Sequence, residues 1–155
     1  MNQSVDMAGE RAKVEEVIKS SITWAQNKDK DLLYRIMVND STLFHFSPDS
    51  GGTIRGFDEF TQLVEQVFMN PAFKAVRADF RETEITFSRT GDVAWWSGIL
   101  DDMNEWTGRP VNWENVRWTG VLEKRGDQWV IMQMHFSYSE EDMRRRFSAP
   151  AEAHP

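Results

Sequence analysis

The sequence of 155 residues contains no cysteine. Disulfide bridges, thiolate metal sites and cysteine nucleophiles are therefore excluded, and a chain without cysteine is more typical of the cytoplasm. Long hydrophobic runs are missing as well, since no segment approaches the roughly 18 apolar residues of a membrane span. The first residues also lack the basic and apolar regions of a signal peptide. We therefore expect a soluble cytoplasmic protein that has no membrane partner.

Basic residues are fewer than acidic ones. Lys and Arg number 18 against 25 Asp and Glu, which gives a formal net charge of −7. A phosphate backbone would meet an unfavourable electrostatic field on such a protein. The single dense basic run, three arginines at 144–146, follows acidic residues at 140–142 and favours ion pairs along a helix surface. We therefore expect no nucleic-acid partner.

Several catalytic and metal-binding motifs are also missing. The three histidines occur without HxH or HExxH spacing, so no metal site is expected. The sequence has no Gly-x-Ser-x-Gly elbow of the kind that carries a hydrolase nucleophile. The glycine-rich segment 50–53 leads from one predicted strand into another, which indicates a turn rather than a phosphate-binding loop. Neither a metal nor a cofactor is therefore expected.

Apolar periodicity predicts one domain over residues 7–138, in which helices precede long strands. The helical pattern covers about 7–27, then a short helix capped by Asp29 or Asp31, then the stretch from Gly56 to Asn70. A hairpin is predicted between the second and third helices, from 41 to 55. From Phe73 onward the period changes to two, and further strands are predicted at about 92–102, 111–124 and 128–138.

This order of elements predicts an α+β architecture. Three helices would cover one face of a bent antiparallel sheet and leave a cone-shaped cavity between the two layers. Phe80 and Ile85 differ in parity although both are apolar, which predicts a bulge near 81–83 that bends the sheet. Residues 139–155 are expected to form a charged C-terminal extension with a disordered Ala- and Pro-rich end.

Three segments of the predicted strands carry a family resemblance. They read Ala-Trp-Trp-Ser at 94–97, Arg-Trp-Thr-Gly-Val-Leu at 117–122 and Trp-Val-Ile-Met-Gln-Met-His-Phe-Ser at 129–137. The Arg-x-Thr-x-Val, Trp-x-Ile and His-x-Ser spacing resembles the SnoaL-like, ketosteroid-isomerase-like group of the nuclear transport factor 2 (NTF2) superfamily. The resemblance implies a cone-shaped, cystatin-like barrel over about residues 10–138, and a homodimer formed through the outer face of the sheet.

The resemblance implies two functional classes, because this fold hosts many chemistries. One is a small-molecule enzyme that performs cofactor-free acid/base catalysis, as an isomerase, cyclase or dehydratase. The other is a non-catalytic oligomerisation module similar to the association domain of a calmodulin-dependent kinase. His135 and Ser137 match the His-x-Ser pattern of that domain, but Phe136 stands where its arginine is expected.

His45 and Asp101 are the candidate catalytic residues. His45 lies in the middle of a short strand, between Phe44 and Phe46, and it faces either the cavity or the outside according to the parity of that strand. In the cavity, loss of hydration would lower its pKa and suit it to act as a neutral base. A structural histidine and a metal ligand are the alternatives. Asp101 ends a strand and is either a general base of raised pKa or a solvated turn residue.

Four further residues are candidates for ligand binding. Trp96 and Trp118 would form aromatic walls, although either can be plain core. Arg117 would anchor an anionic or carbonyl group, or brace the sheet through a carboxylate. His135 shares a face with Gln133 and Ser137, opposite the apolar Met134 and Phe136. Which face of this last strand meets the cavity is open, and the predicted partner is a small organic molecule.

Overall fold

A computed structural model describes residues 6–49 and 51–148 of the chain. This part contains four helices and seven strands and confirms the α+β class. The helices are α1 (Met7–Asn27), α2 (Lys30–Ile36), α3 (Gly56–Leu63) and α4 (Glu140–Ser148). A π-helical segment (Val64–Phe68) extends α3. The strands are β1 (Phe44–Phe46), β2 (Thr53–Arg55), β3 (Phe73–Phe87), β4 (Val93–Trp106), β5 (Arg109–Pro110), β6 (Trp113–Arg125) and β7 (Gln128–Ser137).

The first two helices begin at aspartate caps. The Asp6 side chain accepts a hydrogen bond from the Gly9 N–H, and the Asp29 side chain accepts one from the Leu32 N–H. Such caps satisfy N–H groups that have no partner inside the helix. Lys28 ends α1 in the left-handed conformation, with φ 51°. The predicted helix at 7–27 and the predicted cap at Asp29 are therefore confirmed.

The sheet is mixed rather than wholly antiparallel. Its strand order is β2-β1-β7-β6-β4-β3, and β5 pairs with β4 at one end. The pairs along β7, β6, β4 and β3 are antiparallel, whereas β1 runs parallel to β7. Because β1 and β7 are far apart in the sequence, no turn fixes their relative direction. The expectation of an antiparallel sheet is corrected at this one pairing.

Bulges bend the sheet into a half-barrel around α1 and α3. The pairing of β3 with β4 shifts between Arg81 and Glu84, where Glu82 has a φ of 53°. This confirms the bulge predicted near 81–83. A second shift in the same pairing lies between Ala75 and Arg77. Each bulge adds an unpaired residue, and this turns the strand so that apolar side chains stay on the concave face.

Helices α1 and α3 cover the concave face, and the core lies between these two layers. Val14 and Ile18 of α1 and Val64 after α3 have no exposed surface, and they pack with Leu100, Val116 and other buried side chains of the sheet. In the described part of the chain, every helix is too short or too polar to cross a lipid bilayer.

The C-terminal helix α4 is a fourth helix that extends beyond the expected three. Arg144 pairs with Glu140 and Arg145 pairs with Glu141, as the charge pattern predicted. Arg146 instead donates hydrogen bonds to the Asn112 carbonyl and the Tyr138 hydroxyl, which fastens the helix to the sheet. The predicted disordered tail begins at Ser148, which instead ends α4, and its remaining residues 149–155 lie outside the described part of the chain.

Candidate functional site

A cavity of about 510 Å³ lies between the helices and the concave face of the sheet. This volume falls within the range of small-molecule sites. Trp24 and Ala25 of α1 and Phe60 of α3 form part of the helical wall, and Phe136 of β7 and Trp113 of β6 form part of the sheet wall. Most of the remaining lining is aliphatic or aromatic. An apolar molecule would therefore replace water in most of this space.

Polar side chains interrupt this apolar lining on the sheet side. They are His45, Ser47, Asp49, Asp102 and Asn104. Asp49 is exposed at the rim, whereas His45 and Asn104 are each only 8% exposed. A ligand would thus meet a few fixed hydrogen-bonding groups within an otherwise apolar cavity, as is usual for sites that orient a small molecule.

His45 enters the cavity from the middle of β1. Its neighbour Phe46 is 38% exposed on the opposite side of the strand, so the alternation of the strand directs the imidazole inward. The imidazole ring lies 5.1 Å from the Phe136 ring, and its Nδ1 atom has no hydrogen-bond partner among residues 6–49 and 51–148. Burial lowers the pKa of His45 from 6.5 to about 4. The imidazole is therefore neutral at physiological pH.

Asp102 is the carboxylate inside the cavity, whereas Asp49 lies at its rim. Asp102 lies on the same face of β4 as Trp96 and Leu100, six and two residues earlier in the strand. Burial raises the pKa of Asp102 from 3.8 to about 6, although a hydrogen bond that its carboxylate accepts from the Asn104 side chain opposes this shift. Asp102 is mostly ionised at neutral pH, yet its basicity is well above that of an ordinary aspartate.

Asp101, the predicted base, lies on the convex face and not in the cavity. Its Oδ1 accepts hydrogen bonds of 2.8 Å from Arg81 Nη2 and from the Asn115 backbone N–H. Asn115 has a φ of 56° and lies where the pairing of β4 with β6 shifts register. Asp101 therefore braces two bent strands. The sequence did carry a signal for Asp102, because residues 96, 100 and 102 share one parity and residue 101 does not.

Trp96 and Trp118 lie behind the cavity wall rather than on its surface. Both are almost fully buried, and their rings meet edge to face with centroids 5.3 Å apart. Trp118 also stacks on Phe136, which does line the cavity. A Cβ atom on Gly120 would lie 2.1 Å from the Trp96 ring, so only glycine leaves room for this indole. The two tryptophans support the wall through contact with its lining.

Arg117 and His135 are on the convex face, away from His45 and Asp102. The Arg117 guanidinium donates to the Tyr138 carbonyl oxygen at 2.8 Å, and this contact is neither of the two predicted for it. His135 lines a separate depression of about 330 Å³ together with Phe46 and Met143. Of the six residues that the sequence nominated, the structure places only His45 on the cavity surface.

A bulge in β7 determines which face of the last strand meets the cavity. The pairing with β6 passes from Gln133 to Ile131 and leaves Met132 without a partner. Trp129 and Ile131 are therefore buried before the bulge, and Met134 and Phe136 are buried after it. Neither parity class of the sequence is buried as a whole. Among the apolar residues 130, 132, 134 and 136, Met134 and Phe136 are buried, whereas residues 130 and 132 are half-buried.

Within residues 6–49 and 51–148, no three His, Asp or Glu side chains lie close enough to hold a metal ion. The cavity offers one imidazole and the carboxylates of Asp49 and Asp102. These groups can accept or donate hydrogen bonds, and both carboxylates and the imidazole can take up a proton.

Comparison with known proteins agrees with this fold. The model of the SnoaL-like domain family matches residues 14–140. None of the curated proteins matches the sequence. Among solved structures, an NTF2-like protein from Cytophaga hutchinsonii is 17% identical over 90% of this chain and 100% of its own, with a TM-score of 0.65.

Two further similar structures have named activities or assemblies. The hexachlorocyclohexane dehydrochlorinase LinA type 2 is 15% identical over 88% of this chain and 90% of its own, with a TM-score of 0.69. The association domain of C. elegans CaMKII is 15% identical over 84% of this chain and 97% of its own, with a TM-score of 0.63. These likenesses show the fold alone. The fold is thus NTF2-like, and because the family model covers most of the chain, the chain belongs to the SnoaL-like domain family.

Proposed function

We propose that this protein binds a small, largely apolar organic molecule in the cavity and catalyses a cofactor-independent proton transfer on it. Asp102 is the general base and His45 is a neutral hydrogen-bonding partner. The observation that carries the proposal is the presence of both groups in one apolar cavity, with the pKa of Asp102 raised to about 6 and that of His45 lowered to about 4. Shifts of this kind are typical of acid/base sites.

The pKa order of the two residues is inverted relative to free side chains. At neutral pH the pair therefore exists as an aspartate and a neutral imidazole, not as an ion pair. The Asp102 carboxylate takes a proton from an acidic C–H bond, and the bonding electrons move to an adjacent carbonyl or expel a leaving group. Asp102 then returns the proton to another carbon or to the leaving group. Isomerase, cyclase and lyase reactions all share this first step.

The size of the cavity supports this function over the alternative of a filled assembly module. Met134 and Phe136 form part of the wall, yet about 510 Å³ remains between the layers. A module that only oligomerises has no need of an inward histidine whose Nδ1 finds no partner among the described residues.

A homodimer is a separate prediction. The homodimer is supported by Trp95, a large apolar side chain that is 45% exposed on the convex face. Light scattering, which measures the mass of the particle in solution, tests this prediction.

The function is tested by hydrogen exchange on a simple substrate mimic. 2-Tetralone is an uncharged bicyclic ketone, and NMR in D₂O follows the loss of its α-hydrogens directly. We expect the protein to accelerate this exchange. Asp102→Asn should reduce the acceleration by about 10²-fold to 10⁴-fold, the usual contribution of a positioned base.

The matched control is Asp101→Asn, which removes the neighbouring carboxylate on the convex face. It should keep most of the acceleration. If Asp101→Asn and Asp102→Asn lose the exchange equally, or if the unmodified protein never accelerates it, the catalytic proposal is wrong. His45→Gln should show an intermediate loss, because it keeps a hydrogen-bonding group but not the imidazole.

A further inference from the structure

The charges that line the cavity all have one sign. Asp49 lies at the rim and Asp102 lies inside, while no Lys or Arg of the described chain is part of the lining. His45 adds no positive charge near neutral pH, because burial keeps its imidazole uncharged. An anionic ligand would therefore meet two carboxylates at short range and no cation to offset them.

Few hydrogen-bond donors in the cavity are free to replace that missing cation. The Ser21 hydroxyl donates to the Ile18 carbonyl at 2.6 Å, and the Gly52 N–H donates to the Asp49 carbonyl at 3.0 Å. The Asn104 backbone N–H donates to the Asn112 side chain at 3.0 Å. Every other side-chain donor of the described lining is a neutral hydroxyl, amide, imidazole or indole group. Such groups orient a carbonyl or hydroxyl but do not compensate a full negative charge.

Two helix ends that contribute to the lining of the cavity have the same polarity. Trp24 and Ala25 line the cavity from the last turn of α1, and Val67 and Phe68 line it from the end of the π-helical segment. The carboxyl-terminal end of a helix carries a partial negative charge, and its effect is strongest within the last turn. These two helix ends therefore supply no positive dipole that would offset the carboxylates.

We propose that the cavity selects uncharged, largely apolar molecules and rejects anions, which include carboxylates and phosphate esters. This inference rests on the proposed function, because it takes the same cavity to be the substrate site. It narrows the substrate class to neutral compounds that carry one or two hydrogen-bonding groups on an apolar frame. The reacting C–H bond must then be acidified by a neutral group, such as a ketone or a halogen.

Three probes of nearly identical shape test the charge preference without any need for turnover. They are naphthalene-2-carboxamide, naphthalene-2-carboxylate and naphthalene-2-carboxamidine, which are neutral, anionic and cationic near pH 7.5. Binding is followed by the fluorescence of the tryptophans, three of which line the cavity. We expect the carboxylate to bind at least about tenfold more weakly than the carboxamide.

Two variants locate the source of this preference. The double variant Asp49→Asn/Asp102→Asn should bring the carboxylate to within about threefold of the carboxamide, because it removes both lining charges. Asp101→Asn should leave the ratio as in the unmodified protein. Its carboxylate lies on the convex face, where Arg81 pairs with it.

Equal binding of carboxamide and carboxylate would overturn the inference while leaving the catalytic proposal intact. Tenfold tighter binding of the amidinium than of the carboxamide would replace the uncharged class with a cationic one. If no probe binds, the cavity is not a ligand site, and both proposals are wrong. Neutral selectivity together with no exchange of 2-tetralone would retain the ligand class and reject only the catalytic function.

Discussion

Replacement of Asp102 by asparagine should stabilise the protein, and the gain should grow with pH. The folded state raises the pKa of this carboxyl group from 3.8 to about 6, so folding favours its protonated form. The contribution of Asp102 to the free energy of unfolding is therefore greatest below pH 3.8 and falls as the pH rises through about 6. Asparagine has nearly the same shape and cannot ionise, so Asp102→Asn escapes this loss.

The size of the effect follows from the two pKa values. Linkage gives a cost of about 1 kcal/mol near pH 4.5 and about 3 kcal/mol near pH 7.5 for an aspartate with these values. The difference in unfolding free energy between Asp102→Asn and the unmodified protein should therefore grow by about 2 kcal/mol over this range. The contribution of His45 is present in both proteins and largely cancels.

Urea unfolding followed by tryptophan fluorescence at several pH values measures this difference. Any effect of the substitution that is independent of pH shifts all values equally and does not enter the slope. A difference that stays constant with pH would show that Asp102 is not held in an environment that disfavours its charge. Asp101→Asn is the control and should destabilise the protein by about 1 kcal/mol, since Arg81 and the Asn115 N–H lose a charged acceptor.

Three further outcomes are expected. The rate of 2-tetralone exchange should rise with pH through about 6 as Asp102 ionises, and His45 should add no second change of rate above about pH 4. A rise in rate that is centred near pH 6.5 and that His45→Gln removes would contradict this. Gly120→Ala should lower the free energy of unfolding by about 1–3 kcal/mol in urea titrations, because its Cβ would lie 2.1 Å from the Trp96 ring. Gly98→Ala is the control and should lower this free energy less, because the nearest atom to its Cβ is 3.3 Å away. Ala25→Phe should fill part of the cavity and weaken naphthalene-2-carboxamide binding at least about tenfold while circular dichroism stays unchanged.

Local chemistry made much of the fold predictable. The cap at Asp29 and the bulge near Arg81 depend on a few adjacent residues, and both are found where the sequence indicates them. The parallel pairing of β1 with β7 could not be predicted in this way. It joins residues 44–46 to 133–135, and no local pattern records which distant strand a short hairpin will meet.

The candidate site was harder to predict than the fold because it depends on parity. His45 is the middle residue of β1, a strand of only three residues, and both of its neighbours are phenylalanine. The sequence of this strand therefore favours neither face for the imidazole. Asp101 and Asp102 are chemically alike and adjacent, and only the count from Trp96 separates them. In β7 even a correct count fails, because the bulge at Met132 changes the parity halfway along the strand.

That unpaired Met132 has a consequence for how the last strand can change in length among related chains. Residues 131 and 133 pair with adjacent positions of β6, so deletion of Met132 would restore regular alternation and leave Met134 and Phe136 facing the cavity. The bulge thus absorbs a difference of one residue. In this architecture, two relatives whose alignment has a gap at this point of the last strand can share the same cavity lining.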